Sequence, residues 1–155
     1  MEENKRNKKE KNSQNSFLDS FKSIIEKENI TDILSELLKP GGLCDRFACQ
    51  NRNKIKMNQL RKFFSEFKKI IKKANNTSKK DNSDYEKEIY KLFPIIAYNE
   101  GRGLIPKPFA EMLSLILEKI TENRDDEKKR LFYLKILDAF LTGLIGYMKK
   151  YNPKA

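Results

Sequence analysis

Apolar residues three and four positions apart recur through most of the chain, and this spacing constrains the fold more than any other feature. Residues at these spacings share one face of an α-helix. No segment alternates apolar and polar residues over a useful length, which is the pattern of a half-buried strand. The sequence therefore predicts an all-α protein, a compact bundle of five to six helices. The first apolar run contains Phe17, Leu18, Phe21, Ile24 and Ile25.

The N-terminal residues differ in composition from the rest of the chain. Residues 1–16 contain a single apolar residue, Met1, so they cannot bury enough apolar surface to fold. We predict a disordered basic tail over 1–16 and one helical-bundle domain over 17–155, since a chain of this length most often forms one domain. The N-terminus lacks the apolar stretch of a signal peptide, so a cytoplasmic protein is expected.

The C-terminal segment predicts a helix at the centre of the bundle, running from near Asp125 to Asn152. A helix that is apolar on most sides is usually buried on most sides. Lys135 and Asp138 interrupt its longest apolar stretch, so a core helix is favoured over a membrane span. We expect the small residues Ala139, Gly143 and Gly146 to let a neighbouring backbone come close. The apolar rows contain Tyr133, Leu134, Leu137, Phe140, Leu141, Leu144, Ile145, Tyr147 and Met148.

Residues 43–57 have the weakest pattern, with a few apolar residues among basic and amide side chains, and are predicted to be mostly loop. Asn58 is the expected N-cap of the next helix, which should end near Asn75. Cys44 and Cys49 are the only cysteines, and the chain has no histidine. They do not complete a zinc-ligand set, so we expect no metal. A disulfide between them is possible, but free thiols are favoured, which is consistent with a cytosolic protein.

Positive charge is concentrated in one quarter of the sequence. The chain has 33 Lys or Arg and 22 Asp or Glu, a formal net charge of +11. Residues 46–80 hold twelve of the basic residues and one acidic residue, Glu66. All of the excess charge therefore lies in this segment, and the rest of the chain is neutral. Such clustering indicates a polyanionic partner, either nucleic acid or an anionic membrane.

A helical projection of residues 58–75 separates apolar from basic residues. At 100° per residue, an arc of about 120° holds Leu60, Phe63, Phe64, Phe67, Ile70 and Ile71. One basic row consists of Arg61, Lys68 and Lys72, and a second row consists of Lys62, Lys69 and Lys73. We expect the apolar arc to pack on the bundle and the two rows to face outward.

These rows have two interpretations, a solvated helix face or a phosphate-binding surface. Lysines four residues apart repel each other and weaken a helix. A solvated face does not need this repulsion, whereas a phosphate-binding face does, so anion binding is favoured. Arg102, in a glycine-flanked turn, is a further candidate, although a solvated cation at a helix C-terminus is an equal alternative. The predicted phosphate-binding residues are Lys54, Lys56, Arg61, Lys62, Lys68, Lys69, Lys72 and Arg102, and they become RNA-binding residues if the partner is RNA.

Nucleic acid is a better partner than a membrane, because the bundle needs the apolar face of the basic helix for its own core. No helix-turn-helix, zinc-finger or RRM signature is present, so contacts to phosphate and sugar should dominate. The chain also has no P-loop. The paired acids at Asp125 and Asp126 fit helix capping better than catalysis. We therefore expect no enzymatic activity and no cofactor.

Three segments together resemble the small subunit of the type III-A CRISPR effector, the Csm complex. They are LRKFFSEFKKI (60–70), LFPIIAYNEGRGL (92–104) and LKILDAFLTGLIGYMK (134–149). Their order and spacing agree with that family over roughly 58–151. The segment before the basic helix, residues 40–57, lies outside the resemblance.

The resemblance implies a non-catalytic helical bundle in a ribonucleoprotein of antiviral defence. The implied partners are guide RNA, target RNA, the polymerase-like large subunit, the repeated backbone subunits and further copies of the chain, with no membrane. Arg61 and Lys62 match its leucine-arginine-lysine element, and Arg102 matches its glycine-arginine turn. Three alternatives stay open at this point: a stand-alone DNA-binding protein, a membrane-surface protein, and a helical adaptor for an acidic protein.

Overall fold

The computed structural model describes residues 16–77 and 82–153, and every regular element among them is helical. The predicted all-α architecture is confirmed. The predicted tail lies outside the described residues, apart from Ser16, which is helical. A leading helical segment of residues 16–25, here called α1, is followed by α2 (Ile30–Leu38), α3 (Leu43–Asn51), α4 (Met57–Thr77), α5 (Asn82–Gly101), α6 (Lys107–Glu122) and α7 (Glu127–Tyr151).

The prediction of a loop over 43–57 was wrong, because α3 occupies most of it. The helix starts after Gly42, where an added Cβ would lie 2.6 Å from the Glu36 carbonyl oxygen, so only glycine fits this turn. Leu43, Cys44, Phe47 and Ala48 are buried, and so are the polar Asp45 and Asn51. The apolar face is short and mixed with polar residues, so tertiary burial rather than a strong sequence pattern stabilises this helix.

Helix α7 lies at the centre of the bundle, as predicted, and packs against α2, α3, α4 and α6. Phe140 is fully buried, with ring centroids 5.0 Å from Phe21 and 5.9 Å from Phe109. Phe109 in turn contacts Phe47 and Phe63, which joins α1, α3, α4, α6 and α7 in one aromatic core. By length and composition alone α7 could cross a membrane. Its position among four helices accounts for the same composition.

Gly143 allows the close approach of α7 to α2 and α3. A Cβ at this position would lie 2.5 Å from a Leu38 methyl carbon and 3.2 Å from the Cys44 sulfur. Gly146, predicted to serve the same purpose, has nothing within 4 Å of an added Cβ. Only the first of the two glycines is therefore required by packing within the chain.

Helices α4 and α5 form an antiparallel pair that carries the basic surface. They pack side by side and are joined by residues 78–81, so the end of α5 lies beside the start of α4. Helix α4 begins at Met57, which places Asn58 inside the helix rather than at its N-cap. Among the described side chains of α4, Met57 is buried together with the predicted arc: Leu60, Phe63, Phe67 and Ile71 are buried, and Phe64 and Ile70 are partly buried.

Candidate nucleic-acid interface

All eight predicted RNA-binding side chains are exposed, and they fall into three groups. Two lysines lie in the turn before α4, five cations lie on α4, and Arg102 follows the end of α5. Because α4 and α5 are antiparallel, the first and third groups lie at the same end of the bundle. The five cations on α4 are not equivalent, since the two edges of the basic surface are tied to neighbouring helices.

Lys68 marks the edge of α4 that faces α7. Its Nζ lies 2.5 Å from Oδ1 of Asp138 on α7 and 5.2 Å from the ring centroid of Phe64. An ion pair and a cation–π contact therefore already engage this ammonium group. Lys68 is part of the α4–α7 packing, and its contact with RNA would compete with Asp138.

Lys73 marks the opposite edge, which faces α5. Its Nζ lies 3.4 Å from Oε1 of Glu88, and Lys91 Nζ lies 2.9 Å from the same oxygen. Glu88 is buried, yet its pKa is lowered. The hydrogen bond from Lys91 is the main cause, and Lys73 adds to it against the opposing effect of burial. This three-residue contact fixes the seam between α4 and α5 with a carboxylate that stays charged.

Between the two edges runs a row of cations that we call the basic crest: Arg61, Lys62, Lys69 and Lys72. All four are exposed, and none forms an ion pair with another residue in the part of the chain that the structure describes. Of the six basic residues on the helical projection, Lys68 and Lys73 form ion pairs within the chain, and the four crest cations do not. Unpaired like charges on one helix face oppose folding slightly, and a bound polyanion would remove that repulsion.

Lys54 and Lys56 extend the crest beyond the start of α4. They alternate with Ile55 and Met57, which are buried and hold the turn against the core. The Lys56 carbonyl accepts the Leu60 backbone N–H at 2.9 Å, so Lys56 stands at the N-terminus of α4. The positive end of the helix dipole lies there and adds to the charge of both side chains.

Arg102 follows the last residue of α5 and contacts an exposed tyrosine. Its Nη1 donates a hydrogen bond to Tyr98 Oη at 2.7 Å, and its Cζ lies 5.5 Å from the Tyr98 ring centroid. Gly103 adopts a φ of 70°, the left-handed conformation that ends many helices. The hydrogen bond and the ring contact with Tyr98 therefore hold the Arg102 side chain against α5.

Sequence reasoning missed the contribution of α5 to this surface. Tyr98 is 60% exposed and Tyr90 is 54% exposed, and neither is among the predicted site residues. The four-residue spacing of Tyr98 and Arg102 was the available signal, because side chains at that spacing meet on a helix. No group of three His, Cys, Asp or Glu side chains among the described residues is placed to hold a metal ion.

A comparison with protein-family models matches residues 43–154 to Csm2 Type III-A. This chain belongs to the Csm2 family. The match covers well over half of the sequence and includes every residue of the basic crest. Csm2 is the small subunit of the type III-A CRISPR effector complex, so the chain is a subunit of an assembly that contains other proteins.

The Csm2 match also corrects the extent of the resemblance. It begins at residue 43 rather than 58, so α3 and the turn carrying Lys54 and Lys56 belong to the family region. Of the segment 40–57 that was set outside the resemblance, only residues 40–42 remain outside the match. No curated protein and no solved structure matches the chain.

Proposed function

We propose that this Csm2-family chain is a non-catalytic, RNA-binding subunit of a cytoplasmic type III-A effector complex. Its basic crest holds the phosphate backbone of guide RNA or target RNA. The polymerase-like large subunit, the repeated backbone subunits and further copies of the chain are its protein neighbours. Lys54, Lys56 and Arg102 extend the contact at one end of the crest, and Lys68 contributes at its edge.

The observation that carries this proposal is the internal pairing of the two edge lysines and not of the four crest cations. Lys68 and Lys73 lie at the edges of the basic surface and have carboxylate partners on neighbouring helices, whereas the four crest cations lie side by side with no ion-pair partner among the described residues. The ion pairs with Asp138 and Glu88 link α4 to α7 and α5. The unpaired positive charge of the crest faces outward. Contacts of this kind depend on phosphate charge, so binding should tolerate changes of RNA sequence.

The test is a salt titration of RNA binding by fluorescence anisotropy, with the full chain and with the assembled complex. Arg61, Lys62, Lys69 and Lys72 are changed together to Gln, which removes charge but retains good helix propensity. The slope of log affinity against log salt is about −0.7 per phosphate neutralised on a single strand. We expect the slope to become shallower by about two to three units, with a similar loss for two unrelated RNA sequences.

A matched control removes the same charge from other parts of the chain. Lys22, Lys39, Lys107 and Lys128 are exposed and lie outside α4, and their change to Gln should leave most of the slope intact. Equal slopes for the two quadruple variants would show that only net charge matters and would refute a built site. DNA of the same length and anionic vesicles serve as competitors, and a preference for either over RNA would contradict the RNA assignment.

A further inference from the structure

From residue 86 onward, where the structure describes the side chains of α5, its outward side carries a set of exposed aromatic, basic and small residues that contains no acid. Eight exposed residues recur at spacings of three and four, so they form one continuous stripe, which we call the outer face of α5. Two of them, Tyr90 and Tyr98, are large aromatic side chains with more than half of their surface exposed. The outer face consists of Lys87, Tyr90, Lys91, Pro94, Ala97, Tyr98, Gly101 and Arg102.

One part of the outer face adjoins the basic crest. Glu88 contacts Lys73 of α4, so the direction of Glu88 marks the side of α5 that faces α4. At 100° per residue, Arg102 lies about 40° from that direction and Tyr98 about 80°. Tyr90 lies about 160° away, on the opposite side. Tyr98 and Arg102 therefore border the crest, and Tyr90 does not.

Tyr98 has the chemistry of a stacking surface. Its ring is mostly exposed, and the hydrogen bond from Arg102 to its hydroxyl oxygen restrains both side chains. Tyrosine rings and guanidinium planes are the groups on which unpaired RNA bases stack. A strand whose phosphates follow the crest would present its bases to a neighbouring surface. Among the described side chains of α5, Tyr98 is the exposed ring beside the crest.

We infer that Tyr98, positioned by Arg102, stacks against an unpaired base of the RNA whose backbone lies on the basic crest. The site thus takes single-stranded RNA, or an unpaired nucleotide beside a duplex, rather than a continuous duplex. This inference rests on the proposed function, because the crest must hold the backbone for the base to reach Tyr98. It adds a contact to the base that carries no sequence preference, since every base has a stacking face.

The experiment compares single-stranded RNA with an abasic strand of the same length and number of phosphates, using the full chain. Tyr98→Ala should weaken binding to the base-containing strand by about 5- to 100-fold and leave binding to the abasic strand unchanged. Tyr98→Phe should retain most of the affinity, because it removes the hydroxyl but keeps the ring. None of these changes should alter the salt slope, since no charge is removed.

Tyr90→Ala is the matched control, a tyrosine of similar exposure on the same helix that is turned away from the crest. Its effect on affinity should be smaller than that of Tyr98→Ala. Equal losses on base-containing and abasic RNA would overturn stacking, and so would an unchanged affinity in Tyr98→Ala. If the crest variant still loses binding in that case, the proposed function survives without the inference. If neither variant loses binding, both fail.

Light scattering on the same samples separates RNA from a protein partner at this face. A change of oligomeric mass in Tyr98→Ala, with RNA affinity unchanged, would assign the outer face of α5 to contact with a second copy of the chain. A base analogue, 2-aminopurine, gives an independent signal: its fluorescence should be quenched on binding to the wild type and to Tyr98→Phe but not to Tyr98→Ala. Absence of quenching by the wild type would also overturn the inference.

Discussion

Helices α4 and α7 are the two longest in the described part of the chain, and they use their surfaces in opposite ways. Helix α7 packs against four other helices and buries eight of its 25 residues. Helix α4 buries one apolar arc and leaves four cations without an internal ion pair among the described residues. The one direct ion pair between them, Lys68 with Asp138, lies at the edge of the basic surface.

If the proposed function holds, this difference means that stability and RNA binding are carried by separate side chains. Substitutions in the centre of α7 should lower the free energy of unfolding, and those in the crest should change RNA affinity with little effect on folding. Lys68 is the exception that connects the two properties. Three variants test this division, from the largest effect on stability to the smallest.

Phe140→Ala should destabilise the protein most, by about 3–5 kcal/mol. The ring is fully buried and contacts Phe21 and Phe109, so its removal leaves a cavity between α1, α6 and α7. Urea unfolding followed by circular dichroism measures the loss. Leu131→Ala on the same helix is the control, since Leu131 is exposed and should change stability by no more than about 0.5 kcal/mol. A loss below about 1 kcal/mol for Phe140→Ala would remove α7 from the centre of the fold.

Tyr151→Phe should destabilise the protein at neutral pH, by less than Phe140→Ala, because the charged Asp45 carboxylate loses a hydrogen-bond donor. The Tyr151 hydroxyl donates a hydrogen bond to the carboxylate of Asp45, which also accepts the Gly41 N–H at 2.7 Å. The Tyr151 hydrogen bond is the main cause of the lowered pKa of Asp45, with the Gly41 N–H second. The same bond raises the pKa of Tyr151 to about 12.

The pH dependence of that variant follows from the direction of the Asp45 shift. A carboxyl whose pKa is lowered by folding contributes stability above its ordinary pKa of about 3.9, and the contribution is lost as pH falls through the folded pKa. The stability difference between wild type and Tyr151→Phe should therefore shrink as the pH is lowered from about 5 toward about 3. A gap that stays constant in urea titrations over this range would show that the Tyr151 hydroxyl does not stabilise the carboxylate.

Lys68→Gln should have the smallest effect on stability, about 0.2–1 kcal/mol, because both partners of its ion pair are about half exposed. A double-mutant cycle with Asp138→Asn measures the pair itself. Because Asp138 already engages Lys68, we expect Lys68→Gln to reduce RNA affinity less than Lys69→Gln does. The reverse order would place Lys68 at the centre of the RNA contact and move the crest toward α7.

The helices with a regular spacing of apolar residues could be predicted from the sequence. Those whose burial depends on residues far away in the chain could not. The apolar arc of α4 and the central position of α7 followed directly from spacing. Helix α3 did not, because its buried face includes Asp45 and Asn51, which no apolar pattern would select. Its burial depends on α7, about a hundred residues away in sequence.

The candidate site shows the same limit. The outward direction of the two basic rows was predictable from the projection. The neutralisation of Lys68 and Lys73 was not, because their partners, Asp138 and Glu88, lie on other helices. Exposure of Tyr98 was equally hidden, since a tyrosine in a helical pattern usually packs inward.

The confinement of the excess charge to one segment has a kinetic consequence. A molecule that is neutral over most of its length and strongly positive on one side has a large electric dipole moment. The electric field of a polyanion orients such a molecule before contact, so that most encounters begin with the basic side facing the polyanion. Association is then faster than random collision at low ionic strength, and the advantage falls steeply as salt shortens the range of the field. For a subunit that must join an assembly in one orientation, this pre-alignment reduces the number of unproductive collisions.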